Sequence, residues 1–228
     1  MNKIGIYPSI MCAKPWQMKE YVELFEKNGV TSIHYDVMDG HYVPNIMLGS
    51  AEFNALNSIT KLPIDVHLMV EEPEIFIDYF KWKENDMCCF HPECTKQPYR
   101  LLQYIKSKGV KAGLAISPAV STDYIINCLP AIDYVLFMSI NPGFASQVML
   151  PNALEKLARV SQICNQADHK IDIIVDGNTN IENARKMIAA GATGLVTGTS
   201  SMMKDGPEAF EECYNNYIKA INDWHLLI

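Results

Sequence analysis

His34, Asp36, His67 and Asp176 are the residues of this 228-residue chain whose types and spacing could do chemistry. The run Thr31-Ser32-Ile33-His34-Tyr35-Asp36-Val37-Met38 is rich in β-branched and aromatic residues and reads as a strand. Side chains two apart on a strand share a face, so His34, Asp36 and Met38 point the same way. An imidazole and a carboxylate on one rigid face make a poor apolar core but half of a metal or acid/base site. Asp39-Gly40 then ends the strand with turn chemistry. The pair therefore lies at a strand's C-terminal end, where α/β folds keep their active sites. A later strand, Pro63-Ile64-Asp65-Val66-His67-Leu68-Met69, puts His67 and Met69 on one face, and another closes Ile173-Ile174-Val175-Asp176-Gly177. If these ends converge, two histidines and two carboxylates form a centre for one divalent ion: Zn²⁺, Fe²⁺, Co²⁺ or Mn²⁺. Taken singly, each histidine reads better as a hydrogen-bonded strand-end residue and Asp36 as a turn cap. Their recurrence at one end of several strands favours a site.

The elements that must position them alternate along the whole chain. Strands are expected at 3–10, 31–38, 63–69, 87–91, 111–116, 132–138, 170–175 and 193–197. Helices are expected at 15–28, 50–59, 72–83, around Leu101, Leu102 and Ile105, and at 121–128, 151–167, 181–190 and 207–224. Gly29, Gly109 and Gly191 stand as helix stops. Alternation of this kind implies a parallel sheet. About eight such units in a chain of this length imply an α/β fold that is a single (β/α)8 TIM barrel, residues 1–228. An open doubly wound sheet is the alternative, but no Gly-x-Gly-x-x-Gly follows the first strand.

Composition narrows the function. Hydrophobic residues make up 49% and charged residues 20%, ordinary values for a globular protein. A net charge of -7 argues against a nucleic-acid surface. No apolar run approaches the ~18 residues of a membrane helix. The 7 cysteines are odd in number and contain no Cys-x-x-Cys, and no signal-like N-terminus is present. Free thiols in a reducing cytoplasm are expected, not a zinc–thiolate site.

Two loops look built for phosphate. Ser139-Ile140-Asn141-Pro142-Gly143-Phe144-Ala145-Ser146-Gln147 follows the sixth expected strand, and Gly198-Thr199-Ser200-Ser201 the eighth. Glycine-containing loops at the top of the last barrel strands expose backbone N–H groups to a phosphate. Either loop alone would be weak evidence.

Together these residues resemble a known family. Pro8-Ser9-Ile10, the block from His34-Tyr35-Asp36-Val37-Met38-Asp39-Gly40-His41 through Tyr42-Val43-Pro44-Asn45, Asp65-Val66-His67-Leu68-Met69, Met138-Ser139-Ile140-Asn141-Pro142-Gly143-Phe144 and Val175-Asp176-Gly177 are similar to the ribulose-phosphate 3-epimerase family. The resemblance runs nearly the full length, in order. It implies a ribulose-phosphate-binding barrel that inverts C3 of a ketose phosphate with one divalent metal. His34, Asp36, His67 and Asp176 match the metal ligands, and Asp36 and Asp176 also match the two acid/base carboxylates. Inverting a carbon beside a carbonyl needs a proton removed from one face and one returned to the other, hence two groups, one ionised and one protonated. The implied metal stabilises an enediolate as a Lewis acid. Ser9 and His67 are expected beside the substrate, and Met38, Met69 and Met138 around the reacting carbons. Gly143, Phe144, Ala145, Ser146, Gly177, Asn178, Gly198 and Thr199 are expected at the phosphate end. The resemblance also implies a homo-oligomer.

Departures from the commonest pattern of that family lie at the phosphate end. Asn178 and Ser146 stand where glycines are usual, and Gly198-Thr199-Ser200 where Gly-Ser-Ala is usual. Met11-Cys12, His91-Pro92-Glu93 and Gly198-Thr199-Ser200 resemble instead the branch acting on D-allulose 6-phosphate, a substrate one carbon longer. That substrate is expected, with D-ribulose 5-phosphate as the alternative. Two other readings compete. An aldolase or decarboxylase barrel would carry Asp-x-Lys where this chain has Asp36-Val37-Met38. A non-catalytic sugar-phosphate-binding barrel has no use for a desolvated carboxylate pair. Of the remaining histidines, His41 is expected to be structural, His91 with Glu93 to support the pocket from behind, and His169 and His225 to face solvent. Phe80 and Trp82 are expected to pack a helix.

Overall fold

The computed structural model describes residues 3–223. Eight parallel strands form the wall of a barrel: β1 (Gly5–Pro8), β2 (Ile33–Asp39), β4 (Ile64–Met69), β5 (Met87–Phe90), β6 (Lys111–Ile116), β7 (Tyr134–Met138), β8 (Asp172–Asp176) and β9 (Gly194–Thr197). Their order is β1-β9-β8-β7-β6-β5-β4-β2. The seam between β1 and β2 is closed by a parallel bridge, Ser9 to His34, and by the Thr31 N–H on Ile6 O at 2.9 Å. A ninth short strand, β3 (Ile46–Met47), runs antiparallel to the end of β2, pairing Met38 with Met47. Two apolar residues in a loop carry no periodicity, and this strand was not legible beforehand.

Period-2 alternation divides the apolar residues of the strands between two layers. Tyr7, Cys89, Ala115, Leu136, Ile174 and Val196 pack inside the barrel. Tyr35, Val66, Phe90, Leu114, Phe137 and Leu195 pack outward among the helices. Those helices are α1 (Met18–Asn28), α2 (Ser50–Ile59), α3 (Pro98–Ser107), α4 (Asp123–Cys128), α5 (Ala153–Cys164), α6 (Ile181–Ala189) and α7 (Phe210–Asp223). Gly29 stops α1 in the left-handed region, φ 63°, its N–H returning to Phe25 O and Glu26 O. His41 and His169 are exposed, while His225 lies outside the described residues.

One expected helix is absent. Residues 72–83 form two 3-10 turns, Pro73–Ile75 and Ile77–Tyr79. Glu72, the cap before the first of these turns, is left-handed, φ 52°, so right-handed helical backbone cannot include it. Side chains take up the carbonyls a helix would have used. Trp82 Nε1 donates to Ile77 O at 2.8 Å, Asn54 Nδ2 to Tyr79 O at 3.4 Å and Asn57 Nδ2 to Lys81 O at 3.0 Å. Phe80 and Trp82 therefore pack on Phe53 of α2 from an irregular segment.

Gly113 of β6 is required by a close approach. A Cβ there would lie 2.6 Å from Cε1 of Tyr134, whose ring fills the barrel. That ring cannot retreat freely, because its hydroxyl donates to Asp65 Oδ1 at 2.6 Å. Gly113→Ala is expected to lower stability by about 1–3 kcal/mol, as overpacked cores do. Urea unfolding checks this; a midpoint equal to wild type would show that the ring yields.

Candidate active site

Strand register assembles the site. Across the β2–β4 ladder, His34 is opposite Asp65, Asp36 opposite His67 and Met38 opposite Met69. Across β7–β8, Met138 is opposite Asp176. His34, Asp36, His67 and Asp176 each offer a ligand atom, and these atoms all lie within 4.8 Å of one another.

The polar atoms of His34, Asp36 and His67 are all directed. Ser9 Oγ donates to Asp36 Oδ2 at 2.6 Å. Asp36 Oδ1 lies 3.2 Å from His34 Nε2 and 3.2 Å from His67 Nδ1. The outer nitrogens are held from behind: His34 Nδ1 by Asp65 Oδ2 at 2.9 Å, His67 Nε2 by His91 Nε2 at 2.8 Å. Two imidazole nitrogens and two carboxylates, each imidazole backed by a hydrogen-bonding group, fit a divalent metal of the Zn²⁺, Fe²⁺, Co²⁺ or Mn²⁺ kind.

The surroundings pull the two carboxylates apart. Burial works against a charge on Asp36, but the His34 and His67 rings outweigh it and hold its carboxyl far below the usual range. Burial raises Asp176; His34 opposes this and the Asp36 charge adds to it, leaving it above the usual range. Burial also disfavours a charged His34, but Asp36 and Asp65 reverse this and place its pKa well above normal. His91, buried beside His67, is kept well below normal.

Above the cluster opens a cleft. Ser9, Asp36 and Asp176 line its floor, and Met38, Met69 and Met138 its wall. His34 and His67 lie beneath, with no exposed surface. Gly143, Phe144, Ala145, Ser146, Gly177, Asn178, Gly198 and Thr199 form the rim, which brings all the expected phosphate-end residues together. No lysine or arginine lines this cleft, so an anion there meets backbone N–H groups and hydroxyls.

The rim loops are tied to each other. Ser146 Oγ and Thr199 Oγ1 are 3.1 Å apart, and Asn178 Nδ2 donates to Gln147 O at 2.6 Å. Ser146 and Asn178 both have positive φ, 63° and 47°. Glycine is the default residue for such a backbone, so these two side chains occupy a conformation that costs energy.

Sequence reasoning missed Asp65, Tyr134, Ser117 and Tyr42. Asp65 was detectable, since it lies two residues before His67 on the same strand face. The others come from distant strands or loops, and only the fold brings them near.

A barrel that holds a two-histidine, two-carboxylate cluster at the floor of a cleft rimmed by glycine-containing loops is the framework of a candidate metal centre. The chain belongs to the ribulose-phosphate 3-epimerase family, whose model matches residues 5–202. It is 38% identical over 198 residues to the ribulose-phosphate 3-epimerase of Bacillus subtilis, covering 86% of this chain and 91% of that one. The ribulose-phosphate 3-epimerase of Methanocaldococcus jannaschii is 37% identical over 205 residues, covering 90% and 86%. The chloroplastic ribulose-5-phosphate-3-epimerase of Arabidopsis thaliana is 38% identical over 213 residues, covering 92% and 76%. Among solved structures, a tryptophan synthase alpha-subunit from Pyrococcus furiosus superposes with a TM-score of 0.68 at 13% identity, covering 97% of this chain and 99% of that one. That likeness establishes the barrel fold alone. The protein is thus an isomerase, a carbohydrate-phosphate 3-epimerase. Among the described residues no helix is long and apolar enough to cross a membrane.

Proposed function

We propose that the cleft inverts C3 of a phosphorylated ketose, with Asp36 and Asp176 as the two proton carriers, and that D-allulose 6-phosphate is the preferred substrate. The observation that carries the reaction is the carboxylate pair, which shares one cluster and one cleft floor but sits in opposed electrostatic surroundings. Asp36, favoured in its ionised form, takes the C3 proton from one face. Asp176, which burial and the Asp36 charge shift toward its protonated form, returns one to the other, and the reverse reaction exchanges their roles. His34, Asp36, His67 and Asp176 would hold one divalent ion. When bound, that ion supplies Lewis-acid stabilisation of the charge developing on the substrate's C2 oxygen. Met38, Met69 and Met138 give the delocalised anion a polarizable wall and keep water out. Ser9 orients Asp36, and the rim loops hold the phosphate.

The hexulose preference rests on residues at the phosphate end. Cys12, Ser146 and Thr199 meet there: Cys12 Sγ lies 2.8 Å from where a Gly198 Cβ would be, and Ser146 reaches Thr199. Met11-Cys12 and Gly198-Thr199-Ser200 are two of the three segments that resemble the D-allulose-6-phosphate branch, the third being His91-Pro92-Glu93. D-ribulose 5-phosphate is the second reading, favoured by the names of the relatives above. Measuring kcat/KM for both sugars decides: a higher value for the pentulose overturns the hexulose preference. Removal of the ligand side chain in His67→Ala is expected to strip the metal. Unchanged metal content by elemental analysis would take His67 out of the ligand set.

A further inference from the structure

We propose that Glu93, at the barrel rim, fixes which ring nitrogen of His67 faces the ligand cluster, acting through Tyr42, Ser117 and His91. This rests on the metal-site reading above. Four contacts form an unbroken chain. His67 Nε2 is 2.8 Å from His91 Nε2, and His91 Nδ1 is 2.9 Å from Ser117 Oγ. Ser117 Oγ is 2.8 Å from the Tyr42 hydroxyl, which donates to Glu93 Oε1 at 2.8 Å.

Each contact holds one proton, and the supply is limited. A carboxylate has none to give, so the single hydroxyl proton of Tyr42 is used on Glu93. Tyr42 must then accept from Ser117. With its own proton spent, Ser117 must accept from His91 Nδ1–H. His91 is fully buried against a serine hydroxyl and an imidazole, with no carboxylate in hydrogen-bond reach to hold a second ring proton, so its Nε2 is bare and accepts from His67 Nε2–H. His67 Nδ1 is left with its lone pair beside Asp36 Oδ1 at 3.2 Å, two acceptors side by side, as the ligand set of a cation requires. An imidazole binds a metal only through a bare nitrogen. Run the other way, the chain fails at its end: Tyr42 and Glu93 would have two oxygens in contact and no proton between them.

Burial makes the chain strict. His67 and His91 have no exposed surface and Ser117 is 7% exposed, so solvent offers these three no substitute partners, while Tyr42 is half-buried and Glu93 exposed. The Tyr42 ring lies on His91, centroids 4.6 Å apart at 34°, which keeps both in place. The two ligand histidines thus differ in design. His34 has a carboxylate, Asp65, directly behind it; His67 reaches its carboxylate through three intermediates. Tyr42, Ser117, His91 and Glu93 are positioning residues and touch no substrate in this scheme.

The test uses the full chain loaded with Zn²⁺, a diamagnetic probe, and two variants. Glu93→Gln replaces the obligate acceptor with a group able to donate to Tyr42. Ser117→Ala cuts the chain and leaves the Tyr42–Glu93 pair intact. Both are expected to bind Zn²⁺ about 10- to 100-fold more weakly in chelator competition. Both should also lose the exchange-protected His67 Nε2–H signal from ¹H–¹⁵N spectra. The double variant should bind no more weakly than Ser117→Ala alone, because members of one chain are non-additive. If both single variants keep wild-type affinity while His67→Ala loses Zn²⁺, His67 is a ligand and the chain does not set it, which overturns this proposal. If His67→Ala itself keeps Zn²⁺, the metal-site reading is what has failed.

Discussion

Asp176→Asn is expected to lower epimerase kcat/KM by about 10³-fold while the protein stays folded, within the range that loss of a general acid or base produces. Asparagine matches the shape of the carboxyl group but cannot exchange a proton with carbon at neutral pH. Asp176 closes β8, so its backbone is held in register with Met138 on one side whatever the side chain. The loss should fall on one half of the reaction. Asp36 is untouched, keeps its bond from Ser9, and can still exchange the C3 proton of the one epimer that presents it on that face. In D₂O the variant should therefore wash deuterium into one epimer and not the other, with no net interconversion. Metal content measured on the same sample separates loss of an ion from loss of a proton carrier. Turnover near wild type, or deuterium entering both epimers, would remove Asp176 from the acid role. Asp36→Asn should cost at least as much, because the Asp36 carboxylate also receives the Ser9 hydroxyl and sits against both ligand imidazoles.

What was legible in advance follows from periodicity. On β2, spacing by two put His34, Asp36 and Met38 on one face, and the ladder with β4 shows why that face matters: Asp36 and Met38 are register partners of His67 and Met69. The barrel was legible because strand and helix patterns alternate without interruption. Two kinds of feature were not. The segment after β4 carries helix-like apolar spacing, yet its carbonyls are satisfied by Asn54, Asn57 and Trp82, tertiary partners that no local pattern records. The support behind the ligands depends on residues 51 and 75 apart in the chain, Tyr42 with Glu93 and with Ser117. Asp65 is the intermediate case. Strand alternation alone would place it on the inward face with His67, but in sequence a buried aspartate is silent about its partner, and only the β2–β4 register names His34.

That irregular segment gives the largest expected effect on stability. Phe53 of α2 has no exposed surface and is the common partner of three rings. Tyr35 lies 5.6 Å away at 81°, Phe80 4.9 Å at 77° and Trp82 5.4 Å at 65°, all edge-on. Truncating a buried phenylalanine to alanine costs about 3–5 kcal/mol, from lost transfer energy and the cavity left behind. Edge-on aromatic pairs are worth about 0.5–1.5 kcal/mol beyond area burial, which places Phe53→Ala toward the upper end. Residues 73–83 have no helix of their own to preserve them, so their amides should exchange faster in the variant while those of β7 and β8 do not. Catalysis should survive where the protein remains folded. Phe53 meets β2 through the outward ring of Tyr35, whose hydroxyl is anchored separately on Gly49 O at 2.7 Å, and His34 and Asp36 point to the opposite face. Urea unfolding gives the first number, hydrogen exchange the second and kcat/KM the third. A destabilisation below about 1 kcal/mol would mean that the cavity collapses and that the segment is held by its hydrogen bonds to Asn54 and Asn57 and not by the aromatic cluster.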